Sequence, residues 1–147
     1  MTRIKALLLI ALTGLVVLLL VRQVVRYGTT VSVGEKTYQV VVSRSEFEHN
    51  RGLSGRTSLD PDTGMLFIFR TPDRYSFWMK DMLFPIDIVW ADKDKSIIFM
   101  KENARPEDYP SLYTPEKEAL YVLEISSGEI ARNNFALGQK INISIAK

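Results

Sequence analysis

The sequence predicts a mainly β domain, a compact β-sandwich or partly closed barrel with two short helices, behind one N-terminal apolar helix. Three observations carry that reading. Short apolar or alternating runs recur between clusters of turn residues after Gly28. The first 22 residues hold a continuous uncharged stretch, Ala6 to Val21. The 147-residue chain has 46% hydrophobic and 24% charged residues, ordinary globular usage for a single core.

The N-terminal stretch reads ALLLIALTGLVVLLLV, with Arg3 and Lys5 before it and Arg22 after it. Leu and Val occupy every helical face, so no polar stripe exists that would mark a core helix. A cleavable signal peptide requires a small-x-small site after the apolar stretch. The residues that follow are Arg22-Gln23-Val24-Val25-Arg26-Tyr27. An uncleaved anchor through residues 4–22 is therefore expected, with cleavage and export as the second choice. Snorkelling Lys5 and Arg22 extend its reach. Residues 1–27 form the anchor segment and 28–147 a single soluble domain, placed outside the cytoplasm at the cell membrane.

Past the anchor, Val31 and Val33 alternate with polar residues. Gly34-Glu35 offers a turn, and Tyr38, Val40 and Val42 alternate again, a hairpin pattern. Ser45 and Glu48 have capping-box spacing and Gly52 can stop a helix, which predicts a helix over 46–51. Met65 to Phe69 reads as a buried strand ended by Thr71-Pro72-Asp73. Tyr75 to Met79, Ile86 to Ala91 and Ser96 to Met100 read as further strands. Ala104 to Glu118 holds three prolines and reads as a long loop. Ala119 to Ile125 reads as a strand with Glu124 near its end, Gly128-Glu129 as a helix start, and Lys140 to Ile145 as the last strand. That makes roughly eight short strands, spaced as in sandwiches and barrels.

Several segments acquire meaning together. They are Arg51-Gly52-Leu53 with Arg56, Gly64-Met65-Leu66-Phe67 with Phe69, Phe77-Trp78-Met79-Lys80, Pro85-Ile86-Asp87-Ile88, and Tyr121-Val122-Leu123-Glu124 leading to Gly128 and Gly138. Their order and spacing resemble the domain-of-unknown-function 192 family from about Val31 to Ile145. The resemblance implies a jelly-roll-like β domain in a small bacterial or archaeal protein that often carries a signal or anchor. It implies no reaction.

Composition excludes several chemistries. The chain has no cysteine, so thiolate metal sites, disulfides and a cysteine nucleophile are impossible. His49 is the single histidine, which removes sites with two histidine ligands. No Gly-x-Ser-x-Gly elbow occurs. No metal or cofactor is expected. Arg3, Lys5, Arg22 and Arg26 flank the apolar run, and without them 15 basic face 17 acidic residues. No basic face remains for nucleic acid, so nucleic acid is not expected as a partner.

The ligand-binding candidates are Arg51, Arg56, Trp78, Lys80, Asp87 and Glu124. Asp87 lies in an apolar strand and, if buried, needs a donor; Arg51 or Arg56 offers a bidentate one. Trp78 with Tyr75 or Trp90 would form a stacking platform for a sugar ring. Asp87 with Glu124 would supply a carboxylate pair. The function expected is a membrane-tethered extracytoplasmic module, more a binder than an enzyme, for a small ligand, a glycan or an envelope protein. The alternative is a carboxylate/arginine-based hydrolase or lyase acting on an envelope saccharide. Location is checked by intact-mass analysis of the membrane fraction, which is expected to show a chain retaining Met1 or Thr2; a soluble species starting near Tyr27 would refute the anchor.

Overall fold

The computed structural model describes residues 28–145, so residues 1–27, where the anchor is expected, lie outside the described residues. Among the described residues no helix is long and apolar enough to cross a membrane. Seven strands form one sheet: β1 (Thr29–Val33), β2 (Lys36–Ser43), β3 (Thr63–Asp73), β4 (Ile86–Ala91), β5 (Ile97–Ala104), β6 (Ala119–Ser126) and β7 (Ile141–Ile145). The helices are α1 (Glu46–Arg51) and α2 (Glu129–Arg132). The strand order is β5-β4-β6-β3-β2-β1-β7, and only the β2–β3 pair is parallel. The mainly β reading with two short helices holds. The strands make a single open sheet, not closed into a barrel. Its outer members approach through one bridge, Ser96 to Lys140.

Local chemistry explains the elements. The hairpin turns at Gly34 and pairs Val33 with Lys36. α1 starts on a full capping box: Ser45 Oγ accepts from the Glu48 amide at 3.3 Å and Glu48 Oε2 accepts from the Ser45 amide at 3.0 Å. The Arg44 amide, the Ser45 amide and the Ser45 hydroxyl all donate to the Glu48 carboxyl and hold it down at about 2. α1 supplies the crossover that a parallel β2–β3 pair requires.

Two of the expected strand boundaries differ. β3 runs through Pro72 to Asp73, because its ladder with β6 loses register between Ile68 and Asp73 and Pro72 is not needed as a donor there. Residues 75–79 form no ladder strand; only Phe77 pairs, with Tyr113 of the proline-rich loop. This segment lies over the sheet instead. The Phe77 ring meets Phe67 edge-on at 4.9 Å and Trp90 at 5.6 Å, and Trp90 Nε1 donates to the Tyr75 carbonyl at 2.9 Å. Aromatic area, not strand pairing, holds it.

Strand alternation divides the interior in two. Val31, Tyr38, Val40, Leu66, Val89, Leu123 and Ile125 pack on a first face with Ile130 and Phe135 from around α2. Met65, Phe67, Ile86, Ile88, Trp90 and Val122 pack on a second face under Leu53, Met79 and Met82. β6 and β4 lie at the centre of both cores, and every residue of β4 is buried.

Asp87 points to the first face, opposite Ile125 in the β4–β6 register. It is fully buried, but neither Arg51 nor Arg56 binds it. Its Oδ1 accepts from the Asn103 amide and its Oδ2 from the Ile130 amide, both at 2.8 Å. The expected Arg–Asp pair is thus replaced by two backbone donors. The reason is local: Asn103 at the end of β5 and Ile130 in the first turn of α2 each bring an amide otherwise unpaired in regular structure. Beside them, Glu129 Oε2 accepts from the Tyr38 hydroxyl at 2.7 Å; burial first, and then this bond, push the Tyr38 hydroxyl far above its ordinary value.

Charged hydrogen bonds contribute about 1.5–3 kcal/mol each. Asp87→Ala is therefore expected to lower the unfolding free energy by about 3 kcal/mol or more. Asp87→Asn, which turns an NH2 toward one of the two amides, is also expected to destabilise. Denaturant titration followed by the fluorescence of buried Trp90 measures both; an unchanged midpoint for Asp87→Ala would refute the clasp.

Candidate functional site

Glu124 is an interior residue of β6, between Met65 of β3 and Ile88 of β4. Its side chain shares the second face with Val122, two residues earlier. Neighbouring apolar side chains leave it 5% exposed, and its Oε2 has no hydrogen-bond partner among the described residues. Ser43 Oγ, on the same face, is the other buried side-chain atom in that condition. Burial pushes the Glu124 carboxyl up to about 8; the Arg56 guanidinium pulls it the other way, more weakly. At neutral pH the group is a carboxylic acid, one donor and one acceptor, instead of a charge.

The chain directly after α1 builds the roof of this site. Gly52 closes α1 at φ 50°, a backbone region that favours glycine. A Cβ there would lie 3.6 and 3.7 Å from the two Glu124 carboxyl oxygens and 3.5 Å from the Phe67 ring. Beneath, Gly64 lets β3 approach β6 closely, since a Cβ on it would come within 2.6 Å of the Glu124 carbonyl. Leu53 is buried in the second core and anchors the turn that carries Arg56. Arg56 also lines a cavity of about 410 Å³ together with Gln39, Thr57, Ser58, Asp60 and Thr63. The wall is rich in hydroxyl, amide and charged groups, suited to a ligand that both donates and accepts.

Two bonds tie that turn to the segment bearing Trp78 and Lys80. Ser54 Oγ donates to the Lys80 carbonyl at 2.8 Å, and the Gly55 amide donates to the Asp81 carbonyl at 2.9 Å. Trp78 is 45% exposed, with Tyr109 edge-on at 5.8 Å and Lys80 Nζ 5.6 Å from its ring centre. Neither Tyr75 nor Trp90 partners it. Trp90 is fully buried and Tyr75 stacks on Phe69 at 3.5 Å, so the expected platform is rebuilt around Tyr109 from the proline-rich loop.

Of the six candidates, the fold brings Lys80 over Trp78 and places Arg56 where its charge acts on Glu124 without an ion pair. Arg51 ends α1 with an exposed side chain. Asp87 belongs to the opposite face. The Asp87–Glu124 carboxylate pair therefore cannot act on one substrate, because the sheet stands between the two groups. Glu124 also lies deeper than the strand-end position expected for it. The signal that it lies inside is present in the chain: Leu123, Glu124 and Ile125 continue an apolar run, and Val122 shares its parity. The roof role of Gly52 and the partnership of Tyr109 have no sequence signal, since both arise from contacts distant along the chain.

The raised Glu124 value makes stability depend on pH. The folded state holds this proton up to about pH 8, whereas an ordinary carboxyl releases it near 4.5. The contribution is complete below the lower value and declines as pH rises through the window, by about 1.4 kcal/mol per pH unit. Glu124→Gln is expected to flatten this decline. Unfolding free energies from pH 5 to 9 for both chains measure it; parallel profiles would refute the buried neutral acid.

The domain as a whole has relatives of known structure. A protein of unknown function from Novosphingobium aromaticivorans DSM 12444 is similar, with 30% identity over 78% of this chain and 82% of that chain and a TM-score of 0.72. A protein from Sinorhizobium meliloti 1021, named as a candidate transcription regulator, is similar at 25% identity over 79% of this chain and 94% of that one, with a TM-score of 0.71. No curated protein matches the chain. Residues 29–143 match the DUF192 family, described as uncharacterized ACR, over nearly the whole of the sheet and the roof of the Glu124 site. The chain belongs to the domain-of-unknown-function 192 family.

Proposed function

We propose that this protein is a membrane-tethered, extracytoplasmic binding module that takes a small hydroxylated ligand, such as a saccharide unit of an envelope glycan, at the site around Glu124 and Arg56. The observation that carries the reading is the Glu124 carboxyl, whose Oε2 is buried without a partner under Gly52 in an otherwise packed face. A buried polar atom left unpaired costs about 1–3 kcal/mol, a cost that a ligand's donor would offset. A neutral acid beside a guanidinium suits a hydroxyl or amide better than a second anion. Trp78 and Tyr109, joined to the same turn through Ser54 and Gly55, offer ring faces for a further sugar unit. The tether rests on the Ala6–Val21 stretch.

Binding is favoured over the hydrolase or lyase alternative because Asp87, the second carboxylate the sequence offers, is on the other face and committed to two amides. A lone neutral acid with one arginine holds a hydroxyl but lacks the paired groups that glycosidic cleavage uses.

The test is saturation-transfer NMR of the full chain in detergent micelles with N-acetylglucosamine and hexose oligomers, at pH 6 and pH 9. Binding is expected at pH 6 and is expected to weaken at pH 9, as Glu124 ionises above about 8. Glu124→Gln is expected to retain binding at both, and Arg56→Ala to weaken it. Saccharide binding indifferent to Glu124 and Arg56, or none with any oligomer, would overturn the proposal.

A further inference from the structure

A second concavity lies away from Glu124, between α1 and the outer part of β3. It encloses about 740 Å³ and is lined by Arg44, His49, Asn50, Phe69, Arg70 and Tyr75, with Glu46 at its edge. Its inner wall is a column of three rings. His49 lies 4.5 Å from Phe69, and Phe69 stacks on Tyr75 at 3.5 Å and 10°. His49 Nε2 is 3.2 Å from the Ser43 carbonyl, which only accepts, so Nε2 carries the proton and the ring is held in one orientation. The Tyr75 hydroxyl is likewise held, donating to the Thr71 carbonyl at 2.7 Å.

The charges of this groove are unspent. Among the described residues neither Arg44 nor Arg70 forms an ion pair. Glu48, one helical turn after Arg44, is occupied by three donors at the start of α1. That leaves two guanidiniums against the single carboxylate of Glu46. Packing of the ring column needs neither arginine. Guanidinium forks match the oxygens of phosphate and carboxylate in a bidentate way, and a flat apolar wall beside them suits the carbon part of such a molecule.

We propose that this groove is an oxyanion site, taking a small organic molecule that bears a phosphate or a carboxylate. Arg44 and Arg70 hold the oxyanion, and the ring column of His49, Phe69 and Tyr75 lies against the organic part. The site is independent of Glu124, and it takes the opposite class of ligand, an anion instead of a neutral polyol.

His49 is the single histidine in the chain, so its ring protons report on the groove without ambiguity. The experiment titrates inorganic phosphate, and separately benzoate, into the full chain in detergent micelles at constant ionic strength and pH, and follows the His49 ring resonances. Saturable shifts are expected with both probes. Tighter binding of benzoate would identify a carboxylate on a ring as the better-matched source, and tighter binding of phosphate a phosphoryl group. Arg44→Ala combined with Arg70→Ala is expected to weaken binding at least about tenfold, since each charged hydrogen bond is worth that factor or more. Arg44→Lys with Arg70→Lys is expected to recover only part of it, because an ammonium lacks the fork. Lys93→Ala with Lys117→Ala removes the same charge elsewhere and is expected to leave binding unchanged. Each of these side chains is exposed, and Trp90 fluorescence confirms the fold of every variant. Shifts that never saturate with either probe, or equal weakening by the lysine pair, would overturn the proposal.

Discussion

The pleat of two neighbouring strands governs the molecule. β4 and β6 are covered on both faces, so each successive residue serves a different core. A one-residue change of register would exchange those cores entirely. Under this constraint Asp87 and Glu124, two acids in apolar strands, meet opposite fates. Asp87 falls on the face that α2 closes, where two backbone amides need an acceptor. Glu124 falls on the face roofed by a glycine turn, where no backbone donor reaches its Oε2. One is bonded within the fold and the other is buried with an unpartnered oxygen among the described residues.

The two faces differ in what covers them. The first is sealed by residues around α2, tied down through Asp87, and by the Tyr38–Glu129 bond. The second is covered by irregular chain: the turn after α1, residues 75–85 and part of the proline-rich loop. Those segments hold one another by few hydrogen bonds and many aromatic edges. Rigid sheet below and irregular chain above is the usual placement of a binding surface. Both candidate sites follow this division, since each lies where α1 or its exit crosses the second face.

Much of the fold is legible in the sequence. The Ser45–Glu48 box marks α1 to the residue, and the Val31–Val42 alternation marks the first hairpin, because both are local signals with a local physical cause. Residues 75–79 carry the same β-like composition, yet their aromatics serve a face and not a ladder. Composition cannot distinguish these, as burial of aromatic area is common to both. Of the site, the acids and arginines are recognisable by type and environment, but their pairing is not. The charge of Arg56 is felt by Glu124, while Asp87 faces the other side, because of strand parity across β4 and β6, which depends on a register set far along the chain. Tyr109 joins Trp78 through a loop whose course no periodicity describes.

The sheet order also dictates when the protein can finish folding. β1 is the first of the described strands, and its inner edge finds β2 through a tight turn. Its outer edge pairs with β7, from Thr29 with Ile145 to Val33 with Ile141, at the opposite end of the chain. Until β7 is in place, β1 presents an open strand edge with Val31 and Val33 beside it. Such edges recruit foreign strands. Pairing with β7 therefore covers that side of β1 and moves the open edge of the sheet to β7, where Asn142 and Ser144 are exposed.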